Sequence, residues 1–159
     1  MSDLRDLYQE IILDHYRNPV GRGLREPYEA EVHHVNPTCG DEISLRVHLS
    51  GHGEDARVVD VSYDNQGCSI SQASASVMYE LLVDRTVREA MATLDAFVAL
   101  MQSATEDAGA QPDEDVLGDA IAFSGVAQYP ARVKCALLSW MAWKDAVSQA
   151  QSHTEGGTP

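Results

Sequence analysis

The segment VDVSYDNQGCSISQASASV, residues 59–77, decides the fold. In its first half Val59, Val61 and Tyr63 fall two apart with polar residues between them, the period of a half-buried strand. Beyond Gly67-Cys68 the period changes. Ile70, Ala73, Val77 and then Leu81 recur at helical spacing, and Ser69 and Gln72 stand at the spacing of a capping box. A strand ends and a helix begins at one cysteine.

Working back from there, SGHGED (residues 50–55) reads as a turn, and in EISLRVHL (residues 42–49) Ile43, Leu45, Val47 and Leu49 alternate with polar partners. YEAEVHHV, residues 28–35, reads as a further strand. Three sequential strands with short connections predict an antiparallel meander. Ahead of them, Leu4, Leu7, Tyr8, Ile11 and Ile12 mark an amphipathic helix over residues 3–17, ended by Asn18-Pro19 and a loop holding Gly21 and Gly23. Downstream, Thr86 and Glu89 repeat the capping-box spacing and open a helix through Val87, Ala90, Met91, Leu94, Val98 and Met101. Residues 104–115 (ATEDAGAQPDED) read as a solvated loop, with no base between Arg88 and Arg132. A short helix is expected over Val116–Phe123, a longer one from Pro130 to Gln149, and a disordered tail over residues 151–159. No internal repeat is present. The prediction is one α+β domain over residues 1–150: a small three-stranded antiparallel sheet packed by an N-terminal helix and a C-terminal helical half.

Composition narrows the function classes. A chain of 159 residues with 44% hydrophobic content has the makings of one ordinary core. Eleven bases against 25 acids give a net charge of −14. Such a surface repels phosphate backbones and anionic head groups, so neither nucleic acid nor membrane is an expected partner. No apolar run approaches the roughly 20 residues that span a bilayer, and MSDLRDLYQE has acids where a signal peptide needs a positive end. Three separated cysteines cannot form a fully paired disulfide framework. The expectation is a soluble, cytoplasmic protein whose cysteines carry the question.

Each cysteine falls at a structural junction. Cys39 lies in Asn36-Pro37-Thr38-Cys39-Gly40-Asp41, where its i, i+2 spacing from Asp41 lets both side chains project to one side of an extended segment. Cys68 precedes a helix, whose N-terminus favours a thiolate. Cys135 follows Arg132 and Lys134, two cations with the same effect. Three thiolates and one carboxylate make a tetrahedral zinc set without an open position. Spacing alone leaves three alternatives open: unrelated core cysteines, a shared metal site, or one catalytic cysteine with a histidine and an orienting Asp or Asn. The histidines offer no spacing that demands a metal. His15 suits capping or packing of its helix, and adjacent His33 and His34 point to opposite faces of a strand. His48, His52 and His153 read as structural or exposed.

The motifs Tyr8…Ile11-Ile12-Leu13-Asp14-His15-Tyr16-Arg17-Asn18-Pro19, Asn36-Pro37-Thr38-Cys39-Gly40-Asp41 and Gly67-Cys68-Ser69-Ile70-Ser71-Gln72-Ala73-Ser74-Ala75-Ser76 resemble those of the U-type iron–sulfur assembly proteins, which include IscU and the N-terminal domain of NifU. The resemblance runs from about residue 4 to residue 150. IscU-type scaffolds carry a histidine immediately before the third cysteine, within a Pro-Pro-Val-Lys segment. Here Lys134 precedes Cys135 in Tyr129-Pro130-Ala131-Arg132-Val133-Lys134-Cys135, and extra residues near 104–125 lengthen the distance from Cys68. Both features are similar to SufU, the zinc-dependent sulfur-transfer branch.

That resemblance implies zinc held by Cys39, Asp41, Cys68 and Cys135, and Cys39 as acceptor of persulfide sulfur from a cysteine desulfurase of the SufS type that uses pyridoxal phosphate. A histidine of the desulfurase replaces Cys39 on zinc in that family scheme, and the sulfur passes to a downstream iron–sulfur assembly scaffold. The protein is then a sulfur carrier that stimulates the desulfurase, rather than a free-standing enzyme. Arg132 is a candidate partner of Asp41 or of the desulfurase, against the plainer reading of a surface arginine near a helix start. The alternative function is a scaffold on which the same cysteines assemble and transfer an iron–sulfur cluster. A purely structural zinc module is a further reading, one that leaves the desulfurase indifferent.

Overall fold

The computed structural model of the chain describes residues 2–103 and 114–156. The elements run α1 (Ser2–Arg17), β1 (Ala30–Asn36), β2 (Asp41–Ser50), β3 (Arg57–Gln66), α2 (Ser69–Leu82), α3 (Val87–Gln102), α4 (Glu114–Leu117), a 3-10 helix (Gly118–Gln128) and α5 (Pro130–Gly156). The strands form one antiparallel sheet in the order β1-β2-β3, and helices cover one of its faces, so the architecture is the α+β arrangement predicted. No helix among the described residues is long and apolar enough to cross a membrane.

The strand period decides what faces the helices. On β2, Asp41, Ile43, Leu45 and Val47 are buried while Glu42, Ser44 and Arg46 between them are only partly covered. Asp41 therefore shares the core-facing row of the strand, at its very start. Asn36, the last residue of β1, pairs with Asp41 and is also buried. On β3 the predicted phase holds for Val61 and Tyr63 but not for Val59, which is 38% exposed. A register shift between His48 and Leu49 accounts for it: His48 pairs with Asp60 but Leu49 pairs with Val58, so Val58 turns inward in place of Val59.

α2 runs through the middle of the domain, packed by α1, α5 and β3. Its run of Ser71, Ala73, Ser74, Ala75 and Ser76 is buried, and small side chains let neighbouring elements approach closely. α5 crosses both β1 and β2 and also packs on α2. Between the helices, Trp140 of α5 stacks on Phe97 of α3 with ring centroids 4.4 Å apart, and Phe123 meets Phe97 edge-on at 5.9 Å. Full burial of each such side chain contributes about 1.5–3 kcal/mol.

The helix ends differ in part from expectation. The Thr86–Glu89 capping box forms, with Glu89 N–H donating to Thr86 Oγ1 and Thr86 N–H donating to Glu89 Oε1. The Ser69–Gln72 box does not. Cys68 is the N-cap, Gln72 Nε2 donates instead to the Gly67 carbonyl, and the Cys68 N–H is taken by Asp41. The helix expected over 116–123 is a four-residue α4 followed by a longer 3-10 helix, broken at Gly118, whose φ is +47°. α5 continues to Gly156 rather than stopping at Gln149, and Gln151 Nε2 donates to the Gly53 carbonyl. Residues 104–113 of the acidic stretch and residues 157–159 of the tail lie outside the described residues.

Candidate metal centre

Three chain segments bring the cysteines together at one end of the sheet. The turn after β1 is closed by the Asn36 carbonyl, which accepts from Cys39 N–H at 3.3 Å and Gly40 N–H at 2.9 Å. Gly40 takes φ +72° there, a conformation few other residues tolerate. This turn lifts Cys39 to the surface while Asp41 begins β2 on the buried face. Cys68 caps α2, and Cys135 is buried within the first turns of α5, which Pro130 opens.

The donors converge closely. Cys39 Sγ and Cys135 Sγ are 3.1 Å apart, and together with a carboxylate oxygen of Asp41 they lie within 4.8 Å of one another. Cys68 Sγ is 4.0 Å from Asp41 Oδ2, and Cys68 N–H donates to Asp41 Oδ1 at 2.9 Å. Asn36 Nδ2 points at Cys135 Sγ from 3.9 Å, and the Ala131 carbonyl faces both Cys135 Sγ at 3.5 Å and Cys39 Sγ at 3.9 Å. All three cysteines are free thiols.

The electrostatics of this group call for a cation. Asp41 is wholly buried, yet among the described residues no Lys, Arg or His forms an ion pair with it. A buried carboxylate without a counter-charge is expensive. Burial pushes the Cys135 thiol well above its ordinary range, and the adjoining Asp41, Cys39 and Cys68 push it further. The group thus gathers more potential negative charge than it can hold alone. Three sulfurs and a carboxylate oxygen are the donor set of a closed zinc site, and the thiolates suit iron as well. The residues fit such an ion on chemistry and on charge.

Other predicted residues stand elsewhere. Arg132 is exposed, with its guanidinium 5.3 Å from the Tyr129 ring centre rather than on Asp41. It lines an open groove of about 490 Å³ with Tyr8, Ile12, Ile70 and Tyr129. His15 is buried far from the cysteines in sequence and role: Nδ1 meets Ser76 Oγ at 2.7 Å and Nε2 meets Asp119 at 2.9 Å and Glu80 at 3.4 Å, tying α1 to α2 and the 3-10 helix. His33 meets Ser44, His34 meets Asp145 and His48 meets Glu29. Asn36 and Gly67, which the sequence motifs contain but do not single out, both border the site. The Asn-Pro opening of the turn and the glycine directly before a ligand-type cysteine were the available signals.

Comparison with known proteins shows the family. A family model described as the NifU-like N-terminal domain matches residues 7–136. The zinc-dependent sulfurtransferase SufU of Bacillus subtilis is 37% identical over 152 residues, covering 94% of this chain and 95% of that protein. The iron–sulfur cluster assembly scaffold protein IscU of Streptococcus pyogenes is 35% identical over 94% of this chain and 88% of its own length. Among solved structures, the putative iron–sulfur cluster assembly scaffold protein for the SUF system from Fervidobacterium islandicum superposes with a TM-score of 0.73 at 35% identity, covering 87% of this chain and 94% of that one.

Proposed function

The chain belongs to the NifU-like N-terminal domain family, and from that premise we propose that it is a zinc-bound sulfur carrier of iron–sulfur cluster assembly. It accepts persulfide sulfur on Cys39 from a pyridoxal-phosphate-dependent cysteine desulfurase, stimulates that enzyme, and relays the sulfur to a downstream assembly scaffold. Cys39, Asp41, Cys68 and Cys135 hold the ion in this reading, and the setting is the reducing cytoplasm. When bound, zinc keeps thiols deprotonated and guards them against oxidation. The observation that carries the reading is the convergence of the Cys39 and Cys135 thiols on the buried Asp41 carboxylate, with the exposed Cys68 Sγ 4.0 Å from Asp41 Oδ2.

The chain's own residues supply the rest. The Asn36–Asp41 turn presents Cys39 outward; Cys68 is also exposed but starts α2 with its backbone tied to Asp41, and Cys135 is buried. The Cys39 thiolate attacks the terminal sulfur of the desulfurase persulfide. A bond forms between Cys39 Sγ and that sulfur, the S–S bond on the desulfurase breaks, and its cysteine leaves as a thiolate. The exchange needs no outside oxidant or reductant, since the sulfane sulfur moves unchanged between two cysteines.

Incubation with a cysteine desulfurase and L-cysteine should add about 32 Da, one sulfur, to Cys39. Desulfurase turnover should rise with the wild-type chain and not with Cys39→Ala. Stimulation untouched by Cys39→Ala would refute the acceptor role. A stable, transferable visible chromophore after anaerobic reconstitution with iron and sulfide would favour the scaffold reading, which similarity to the Streptococcus pyogenes scaffold protein IscU supports and which Lys134, in place of histidine, weakens.

A further inference from the structure

Gly67 sits against the candidate metal centre in a conformation and a space that no other residue fits. Its φ is +145°, where L side chains are strained. A Cβ placed on it would lie 2.1 Å from Asp41 Oδ1, 2.8 Å from Asp41 Cγ and 3.0 Å from Asp41 Cβ. All three nearest atoms belong to Asp41. The carboxylate can clear such a Cβ only by leaving its place, because Asp41 is wholly buried and its backbone is held in register with Asn36 at the start of β2.

The carboxylate is pinned as well as cradled. Cys68 N–H, at the N-terminus of α2, donates to Oδ1 at 2.9 Å, and an exposed helical N–H favours a negative partner. Oδ2 is left facing the sulfur side, 4.0 Å from Cys68 Sγ. We propose that Gly67 is a positioning residue of the metal centre: its missing side chain leaves the pocket in which the Cys68 amide fixes Asp41, so that Asp41 offers a single oxygen, Oδ2, to the ion. Resting on the ligand set proposed above, this makes the site four-coordinate with three sulfurs and one oxygen. Any side chain at position 67 withdraws the carboxylate from both the amide and the ion.

The test uses the full chain as wild type, Gly67→Ala, Asp41→Ala and the double variant. Zinc affinity is read by competition with a chromophoric chelator, and ligand geometry by the visible spectrum of the cobalt(II)-loaded chain. Gly67→Ala should weaken zinc by about 10–100-fold, the range for residues that orient a ligand, and shift the cobalt spectrum toward that of Asp41→Ala. In the Asp41→Ala background the same glycine change should alter affinity by less than about twofold, because the group it displaces is gone. Equal losses in both backgrounds would overturn the proposal, since backbone strain alone acts regardless of Asp41. Should Gly67→Ala fail to fold while the double variant folds, the clash with Asp41 is confirmed; failure of both overturns it. Wild-type affinity and spectrum in Asp41→Ala would instead remove Asp41 from the ligand set. Wild-type behaviour of Gly67→Ala beside an impaired Asp41→Ala would sink the Gly67 role alone.

Discussion

Substitution of Ser74 by alanine should weaken the domain out of proportion to the single oxygen removed. Ser74 Oγ accepts from Trp140 Nε1 at 2.9 Å and donates to the Ala136 carbonyl at 2.6 Å, and both side chains are wholly buried. The Ala136 carbonyl keeps its place in the helical ladder of α5 when the hydroxyl goes. The indole N–H has no second partner and becomes an orphaned buried donor, a loss of about 1–3 kcal/mol. Against a total stability of about 5–15 kcal/mol, that is a sizeable fraction. For a chain of this size each kcal/mol moves the melting temperature by about 2–4 °C, so a fall of about 2–12 °C is expected.

The assay is urea unfolding followed by circular dichroism, on chain handled identically with respect to metal. Trp140→Phe removes the same N–H, so in the Ser74→Ala background it should cost about 1 kcal/mol less than in wild type. A Ser74→Ala loss below about 0.5 kcal/mol, or simple additivity of the two changes, would refute the reasoning. The consequence reaches the site, because Ser74 lies on the helix that Cys68 caps and Ala136 directly follows Cys135. The clamp joins the two helices that carry those cysteines.

Three further outcomes follow from the geometry. Thr86→Ala removes one half of a complete capping box and should lower stability by about 1 kcal/mol in the same assay. The Asp145 carboxyl is held below its ordinary range chiefly by His34, 2.8 Å away, and secondarily by Gln149. A depressed folded pKa contributes stability that is present above the unfolded value of about 4 and is lost as pH falls through the folded one, so His34→Ala should flatten the acid limb of a stability–pH curve below about pH 4. Arg132→Ala should leave zinc content unchanged, since the guanidinium lies over Tyr129 and not on the ligands; loss of zinc would place Arg132 back in the site.

The sequence carried the fold because its periods are clean. Strict alternation over residues 42–49 and the helical recurrence after Cys68 needed no tertiary information. The parts it hid depend on contacts across the chain. Val59 looked like a core residue because a bulge opposite it, at His48/Leu49, leaves no local mark. Ser69 and Gln72 have the right spacing for a cap, but Asp41, 27 residues earlier than Cys68, occupies the helix start first. The cysteines were legible as candidates from their loop contexts. Their convergence was not, since it rests on Asn36 closing a turn and on α5 crossing β1 and β2. Gly67 was invisible for the same reason: a glycine before a cysteine has meaning only beside Asp41.

Within the proposed ligand set, one donor has to yield for sulfur to be taken up, and two physical arguments choose differently. Intrinsic ligand strength favours loss of Asp41, a harder and weaker donor to zinc than a thiolate. Position favours loss of Cys39. A displaced Asp41 would stay wholly buried without a cation, a penalty of several kcal/mol. Cys39 is exposed on a turn whose Gly40 faces open space, so its thiolate can swing into water. Position wins by that desolvation difference, which makes Asp41 the anchor and Cys39 the mobile ligand. Limited alkylation of the zinc-loaded chain with iodoacetamide should therefore label Cys39 first, and an added imidazole ligand should speed labelling at Cys39 alone. Labelling that begins at Cys68 or Cys135 would contradict the assignment: Cys68 is exposed like Cys39, but it stands at the start of α2 with its backbone held by Asp41 while Cys39 stands on a turn, and Cys135 is 2% exposed.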